Sequence, residues 1–574
     1  MSKIEVLKFG SSVLHAPGEL HVAVDEIYRR WRSGCRVLAV VSAFEGVTDQ
    51  LIREAAQIFG TDCPEATAAY VATGEQKTAA LLVGSLVRSG IPTRLVEPRE
   101  IDLVAAGSAL DSAPRRVNVW ALEGFWRAAP ILVLPGFFGI DHQGHTTLFG
   151  RGGTDMSALF LASELKGSCR LLKDVNGVFD ADPASKATAH RFTALSWTTA
   201  IEVSGPLIQP KALHYARIRT LPFHVGRPNE SAGTHVGKTA DEWAPPTPPT
   251  PPLRVALLGC GVVGRGVYES LKRYPTRFEI RHVLVRDLAK YADIPEATND
   301  WSLGLQDSID LVIECIGGVE SAFLLIANAL SAKKFVVTAN KALVAAHWPA
   351  LSHYARGSKR LLWYSAAVGG ALPILETLAT LDAPVREIRG IINGTCGFVL
   401  DALVSGKTRP EAIALAQAAG FAEADPARDL SGADSADKLA LMMEAAFGQW
   451  MAPASIPTRG IDRDLSDPRG IKLIARAQVA PDGMTASVAP ELPTQGSFLA
   501  LARAAENRIE IELKCGSVIR LRGQGAGRWP TAVSVMGDVH EVARVVETRG
   551  VEESSPSPLR QSNVVKFTAV NATR

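Results

Sequence analysis

The stretch LRVALLGCGVVGRGVYESLKRY, residues 253–274, constrains the fold of this chain more than any other. An apolar run ends at Gly259, Gly261 and Gly264, and a helical pattern follows at once. A lone GxGxxG is a weak signal, but one set between a strand and a helix predicts a dinucleotide site. Gly259 permits the tight turn, Gly261 lets the backbone approach a pyrophosphate, and Gly264 allows close packing of helix on strand. Val262 and Val263 open the helix, whose N-terminal amides favour phosphate. The next strand, IRHVLVRD, ends in Arg286 and Asp287. The cation sits where the 2′-phosphate of NADP would lie, whereas Asp287 can accept a ribose hydroxyl of NAD, and the reading inclines to NADP.

This fingerprint lies behind the run ADEWAPPTPPTPP. Proline lacks an amide donor and fixes φ, so residues 239–252 predict a semi-rigid extended spacer between two domains. The length of 574 residues also exceeds what one core can hold. Before the spacer, IEVLKF, RVLAVVS, ILVLPGFFG and CRLLKDV read as strands; after it, LRVALLG, IRHVLVRD, DLVIECIGG, KFVVTAN and LLWYSAAVGG do. Helical patterns separate them, so both halves are expected to be α/β with parallel sheets. Residues 551–574 read as a tail with little pattern.

Composition removes several function classes. A net charge of +2 gives no field to steer a polyanion, so nucleic acid is not an expected partner. Seven cysteines without CxxC pairs or His clusters predict neither a disulfide framework nor a zinc site, and fit a reducing cytoplasm. The start, MSKIEVLKFGSSVL, lacks the apolar run of about 7–15 residues of a signal peptide. No run reaches the roughly 18 apolar residues of a membrane helix, so a soluble protein with small-molecule substrates is expected.

Some side chains carry readable chemistry. Reduction of a carbonyl needs a cation or proton donor on its oxygen. Lys438 lies four residues after Asp434 on a predicted helix, so one face carries both and the carboxylate can orient the ammonium. Lys341 follows the strand KFVVTAN, at the carboxyl edge where α/β sites form. In the first half, Lys8 with Gly10, Ser11 and Ser12 is a candidate phosphate nest. In GRGGTDMSA, Arg151 can pair with a substrate carboxylate while Asp155 accepts from its ammonium. Taken singly, such residues are more often surface ion pairs, turns or caps.

The motifs VVTANKALV, YSAAVGGALPILETL, GIINGTCGFVLDAL, AGFAEADPARDLSGADSADKLAL and RLRGQGAGRWPTAVSVMGDV follow one another from about residue 253 to 550. In that order they resemble homoserine dehydrogenase. The resemblance implies a Rossmann domain over 253–379 and an α+β substrate and dimerisation domain over 380–550, with a homodimer formed through residues 380–525. It implies Lys438 and Lys341 as the catalytic pair with Asp434, and Glu423, Asp429 and Asp434 around the ammonium and hydroxyl of the amino acid. Gly394, Thr395, Gly420 and Gly525 would line the cofactor and substrate cleft. Ser365 stands where the family often has a glutamate, so a monovalent cation would rest on the carbonyls of Val368, Gly370 and Leu372.

Over residues 3–237, VLKFGSSV, AVVSAFEGVTD, ATGEQKTAALL, LPGFFGIDHQGHTTLFGRGGTDMSALFLA and LLKDVNGVFDADP resemble the catalytic domain of aspartokinase, in the amino acid kinase family. That implies an α/β/α sandwich over 1–238. Ser42, Thr48, Glu75, Arg151 and Asp155 would form an aspartate pocket. Lys8, Gly10, Ser11, Ser12, Asp174, Asn176 and Asp182 would surround ATP and Mg2+. In the segment SGPLIQPK, Pro206 replaces a lysine that in the family neutralises ATP phosphates, and Lys211 is the expected substitute. Regulatory ACT domains are absent between Val236 and Leu253, so feedback control through them is not expected. Two readings stay open. One is a bifunctional enzyme of threonine and methionine biosynthesis; the other is an active dehydrogenase whose kinase-like half serves binding or oligomerisation.

Overall fold

The computed structural model describes residues 3–60, 62–186, 188–205, 207–245, 250–306, 308–357, 362–422, 425–463, 465, 467–481 and 483–552. The chain divides into two compact units: residues 1–88 with 92–249, and residues 250–574 with 89–91.

The first unit is built on a nine-stranded sheet ordered Glu242–Trp243, Phe192–Ser196, Thr234–Gly237, Phe223–Gly226, Ser168–Leu172, Ile4–Phe9, Arg36–Val41, Ile131–Pro135 and Thr93–Leu95. The four strands from Ser168–Leu172 to Ile131–Pro135 run parallel. Their near-continuous apolar runs suit a sheet covered on both faces. Helices Leu20–Arg32, Pro64–Arg88 and Gly153–Leu165 follow the expected patterns.

The spacer differs from expectation. Glu242–Trp243 pairs antiparallel with Phe192–Ser196, and Trp243 stacks on Phe192 with ring centroids 3.9 Å apart. The non-proline residues here keep their amide donors, and the indole has a ring to cover, so the first unit claims this segment as an edge strand.

The second unit begins with six parallel strands in the order Ala297–Thr298, Phe278–Leu284, Leu253–Leu258, Leu311–Glu314, Phe335–Thr338 and Leu362–Trp363. The chain starts at Leu253–Leu258, builds to one side, then returns to the other. A crevice therefore opens at the carboxyl ends of the central strands. LLWYSAAVGG, read as one strand, is strand only at Leu362–Trp363 and becomes helix at Ser365–Gly369. The Ser365 amide donates to the Asp538 carboxylate at 3.1 Å, satisfying the first donor of that helix.

A five-stranded antiparallel sheet follows, ordered Gly483–Glu491, Lys472–Ala480, Val385–Ile391, Glu506–Leu513 and Val518–Gln524. Helix Arg528–Glu552 then returns to the first sheet of this unit, burying Ala532, Val535, Met536 and Val539 with Leu253, Val255, Leu257 and Val267. It reaches two residues into the expected tail, whose remainder lies outside the described residues. Among the described residues no helix is long and apolar enough to cross a membrane.

Candidate active sites

The glycine turn of the second unit has the shape its sequence demands. Gly259 has φ +88°, and a Cβ there would lie 2.5 Å from Ile316 Cγ2. A Cβ on Gly264 would collide with the Gly259 carbonyl oxygen, so only glycine lets the helix sit so close. Nothing lies within 4 Å of a Cβ on Gly261, which leaves this backbone open to a ligand. Helix Val262–Leu271 starts here with Val262 exposed. These residues fit a dinucleotide pyrophosphate at a helix N-terminus.

At the carboxyl edge of the same sheet, Glu314 accepts from the Thr338 hydroxyl and from the Ile316 amide at 2.8 Å. Asn340 donates to the Gly318 carbonyl at 2.7 Å and accepts from the Leu343 amide at 3.1 Å, capping helix Lys341–Gly357. This network fixes the backbone from which Lys341 projects. Burial pushes the Glu314 carboxyl up to about 7.

Asp434 stands at the start of helix Ala433–Phe447, buried, between two ammonium groups. Lys438, one turn on, lies 2.9 Å from its carboxylate, and Lys341 lies 2.6 Å from it. Lys438 also donates to the Ile392 carbonyl at 2.8 Å. Asn393 donates to Asp434 at 3.1 Å and to Asp429 at 2.7 Å, while its own carbonyl caps helix Gly394–Val404 at the Cys396 amide. Burial alone would raise the Asp434 carboxyl, but Lys438 and Lys341 hold it well below its ordinary value. Burial and the Asp434 charge push Asp429 the other way. The centre thus pairs fixed cations with acidic oxygens.

The first unit holds a cleft of about 980 Å³ lined by Lys8, Gly10, Ser11, Ser12, Ser42, Thr48, Glu75, Arg151, Asp155, Lys173, Asp174 and Asp182, among others. Strand Ile4–Phe9 delivers Lys8, whose ammonium lies 2.8 Å from the Asp155 carboxylate. Lys173, just past strand Ser168–Leu172, reaches the other oxygen of that carboxylate at 3.1 Å. Against the raising effect of burial, Lys173 and Lys8 hold Asp155 down to about 2. Glu75 accepts from the Ala43 amide at 3.1 Å, with the Thr48 hydroxyl beside it, and burial pushes its carboxyl up to about 7. Ser42 donates to the Thr154 hydroxyl at 3.0 Å. Among the described residues, no group of three or more His, Cys, Asp and Glu is placed to hold a metal ion.

A family model described as homoserine dehydrogenase matches residues 373–540, and one for the homoserine dehydrogenase NAD binding domain matches 259–364. Homoserine dehydrogenase of Corynebacterium glutamicum is 33% identical over 334 residues, covering 53% of this chain and 75% of that protein. The Bacillus subtilis enzyme is 32% identical over 54% of this chain and 78% of its own length. The chain belongs to the homoserine dehydrogenase family. A solved homoserine dehydrogenase from Thiobacillus denitrificans aligns at 31% identity with a TM-score of 0.49, over 52% of this chain and 75% of that one. The amino acid kinase family model matches residues 3–225, so a kinase domain is fused to the dehydrogenase domains.

In the dehydrogenase unit, Lys341, Lys438, Asp434 and Asp429 converge, and Thr395 donates to the Phe421 carbonyl at 2.6 Å. That bond draws the Gly420 turn, φ +75°, toward the start of helix Gly394–Val404. Gly394 packs on the Ala505 backbone, and Gly525 lies against both Asn507 and Gly370. Arg286 is exposed after strand Phe278–Leu284, while Asp287 accepts from the Ala289 amide at 3.0 Å. The Leu372 carbonyl accepts from the Ile374 amide at 2.9 Å, and Val368 is buried in helix Ser365–Gly369. Glu423 lies outside the described residues.

In the kinase unit, two residues expected at the nucleotide, Lys211 and Asn176, are not among the described residues lining the cleft. Lys211 donates to Asp111 at 2.8 Å and to the Ser112 carbonyl at 2.7 Å, because strand Asp111–Arg116 comes up beside helix Pro210–Ile218. Asp155 is taken up by two lysines instead of waiting for a substrate ammonium. Asp182, at the cleft, accepts from Ala184 at 2.9 Å and Ser185 at 2.8 Å, which makes it a turn residue as well. Sequence reasoning missed Lys173, Asn393 and Glu314. A lone carboxylate inside the apolar run DLVIECIGG was the available signal for Glu314.

Proposed function

We propose that the chain catalyses two reactions of amino-acid biosynthesis: ATP-dependent phosphorylation of L-aspartate in the first unit, and NAD(P)H-dependent interconversion of aspartate semialdehyde and L-homoserine in the second. Aspartyl phosphate must first become the semialdehyde, so the two sites act on non-consecutive compounds.

The observation that carries the dehydrogenase reading is Asp434 held between Lys341 and Lys438. A reduced nicotinamide dinucleotide, with its pyrophosphate on the turn at Gly259 to Gly264, would supply the hydride. The lysines meet the charge that grows on the carbonyl oxygen and supply its proton, and Asp434 holds both aimed. Asp429, oriented by Asn393, is placed to accept from the substrate ammonium, with Glu423 added by resemblance. Arg286 supports a preference for NADP, since Asp287 is engaged in its own turn. A monovalent cation would rest on the carbonyls of Val368, Gly370 and Leu372, the last of which keeps a second lone pair beside its bond from the Ile374 amide. A homodimer through residues 380–525 belongs to the reading; Val479, Leu492 and Val518 stand exposed there.

In the kinase unit, Ser42, Thr48, Glu75 and Arg151 gather around the cleft that also holds Lys8 and the amides of Gly10 to Ser12, which suits an amino acid beside a nucleotide with its Mg2+. Purified full-length protein tests both halves. Homoserine-dependent reduction of NADP and aspartate-dependent ADP release are expected together. Homoserine turnover without ADP release would leave the first unit as a binding or oligomerisation module.

A further inference from the structure

Lys173 is a buried cation to which the reading above gives no task. Its ammonium donates to Asp155 at 3.1 and 3.3 Å, and Lys8 meets the same carboxylate at 2.8 Å. The sheet explains the meeting. Lys8 is in register with Leu171 of the neighbouring parallel strand, and Lys173 comes two residues later, on the same face by the alternation of side chains. The Lys173 amide still pairs with the Gly226 carbonyl at 3.0 Å, so its backbone stays tied to the sheet.

Two ammonium groups about one carboxylate leave one positive charge over. Both lysines are less than a tenth exposed. A buried charge without a partner costs several kcal/mol, a cost that an arriving anion offsets. The same cleft wall carries Gly10, Ser11 and Ser12. Meanwhile position 206, where the family resemblance calls for a phosphate-neutralising lysine, is proline, and Lys211 is bound to Asp111 and the Ser112 carbonyl.

We propose that Lys173 is the second phosphate-binding cation of this cleft, taking with Lys8 the transferring phosphoryl group of ATP in place of the lysine absent at position 206. The inference rests on the kinase reading of the first unit. A carboxylate oxygen of aspartate forms the new bond to the γ-phosphorus, and the bond to the bridging oxygen breaks. The electron pair leaves on ADP. Neither Lys8 nor Lys173 gives up a proton in this step; both offset the charge on the γ-phosphoryl oxygens, and the arriving anion counters the burial that pushes the Lys173 ammonium down to about 8. Asp155 sets the two ammonium groups at fixed positions.

The test uses the full-length chain and MgATP, read by protection against heat and by aspartate-dependent ADP release, with homoserine oxidation monitoring the other unit. Lys173→Met is expected to weaken MgATP binding at least tenfold and ADP release at least a hundredfold. Lys173→Arg, which keeps the charge, should hold MgATP affinity within tenfold of the parent and decides the matter if the methionine variant does not fold. Parent-like MgATP binding in Lys173→Met, an arginine variant as weak as the methionine one, or a loss appearing in Lys211→Met instead overturns the proposal. Lys173-dependent MgATP binding without any aspartate-dependent turnover keeps the cation and removes the aspartokinase reading. A parent chain that binds no MgATP removes both.

Discussion

Both units centre on an aspartate buried between two lysines, yet they assemble it differently. In the dehydrogenase unit Asp434 and Lys438 are one turn apart on a single helix, and the second cation, Lys341, is 40% exposed. In the kinase unit Lys8 lies in one strand and Lys173 just past the end of its parallel neighbour, and both are buried. The difference follows the charge each reaction develops. Hydride addition places one negative charge on one oxygen, which the Lys438 and Lys341 ammonium groups, one buried and one partly exposed, meet together. Phosphoryl transfer spreads charge over several oxygens, which favours cations fixed in place beforehand.

The largest expected effect breaks one unit without the other. Lys438→Ala should lower kcat for homoserine oxidation about 10⁴-fold, roughly 5 kcal/mol of transition-state stabilisation, through loss of proton donor and charge together. Aspartate-dependent ADP release should not change. A dehydrogenase rate within tenfold of the parent would show that another group polarises the carbonyl.

Asp155→Asn strands two buried ammonium groups and is expected to cost about 3–5 kcal/mol. Asp434→Asn strands only Lys438, since Lys341 can turn to water, and about 1–3 kcal/mol is expected. Denaturant unfolding, with the transition of each unit followed separately, measures both. Equal costs would mean that exposure of Lys341 does not matter.

The same contrast explains what the sequence disclosed. Lys438 and Asp434 were legible because a spacing of four on a helix is a local fact, and Lys341 because it ends an apolar run. Lys173 was not legible: its position beside Lys8 depends on strand Ser168–Leu172 pairing with Ile4–Phe9, and nothing local encodes that partner. The Lys211 ion pair was hidden for the mirror reason, since the strand that supplies its partner, Asp111–Arg116, lies far off in the chain. Asn393 looked like a helix cap and is one, but its amide also grips Asp429 and Asp434. Trp243 shows the limit of composition: a proline-rich neighbourhood did not stop it from joining the sheet.

A third test separates the units by pH. Burial raises the Glu75 carboxyl from 4.5 to about 7, so the folded state holds this proton more tightly than the unfolded chain. The stabilisation is complete below pH 4.5 and is lost as pH rises through about 7, an amount on the order of 3 kcal/mol. Glu75→Gln removes the dependence while its amide oxygen still accepts from the Ala43 amide. At pH 8.5 the variant's first unit should melt higher than the parent's, and near pH 4.5 it should show no gain. Glu314 carries a like shift in the second unit, so the transition of that unit should keep its parental pH profile. A change there, or none in the first unit, would reject the assignment.

The smallest effect concerns cofactor choice, and its size follows from exposure. Arg286 is open to solvent, so its attraction for a 2′-phosphate is screened and a bidentate contact is worth only about 1–1.5 kcal/mol. Arg286→Ala should therefore weaken NADP about tenfold and NAD less than twofold, as read from Kd values for both. Screening gives a second handle. Raising the salt from roughly 0.05 to 0.5 M should shrink the parent's preference for NADP, because the Debye length falls from about 14 to about 4 Å and an exposed pair is screened more, and should leave the variant's ratio flat. Asp287 cannot produce this pattern: its carboxylate repels a phosphate and already accepts from the Ala289 amide. A ratio that ignores both the substitution and the salt would move the choice of nucleotide to the shape of the ribose pocket rather than to charge.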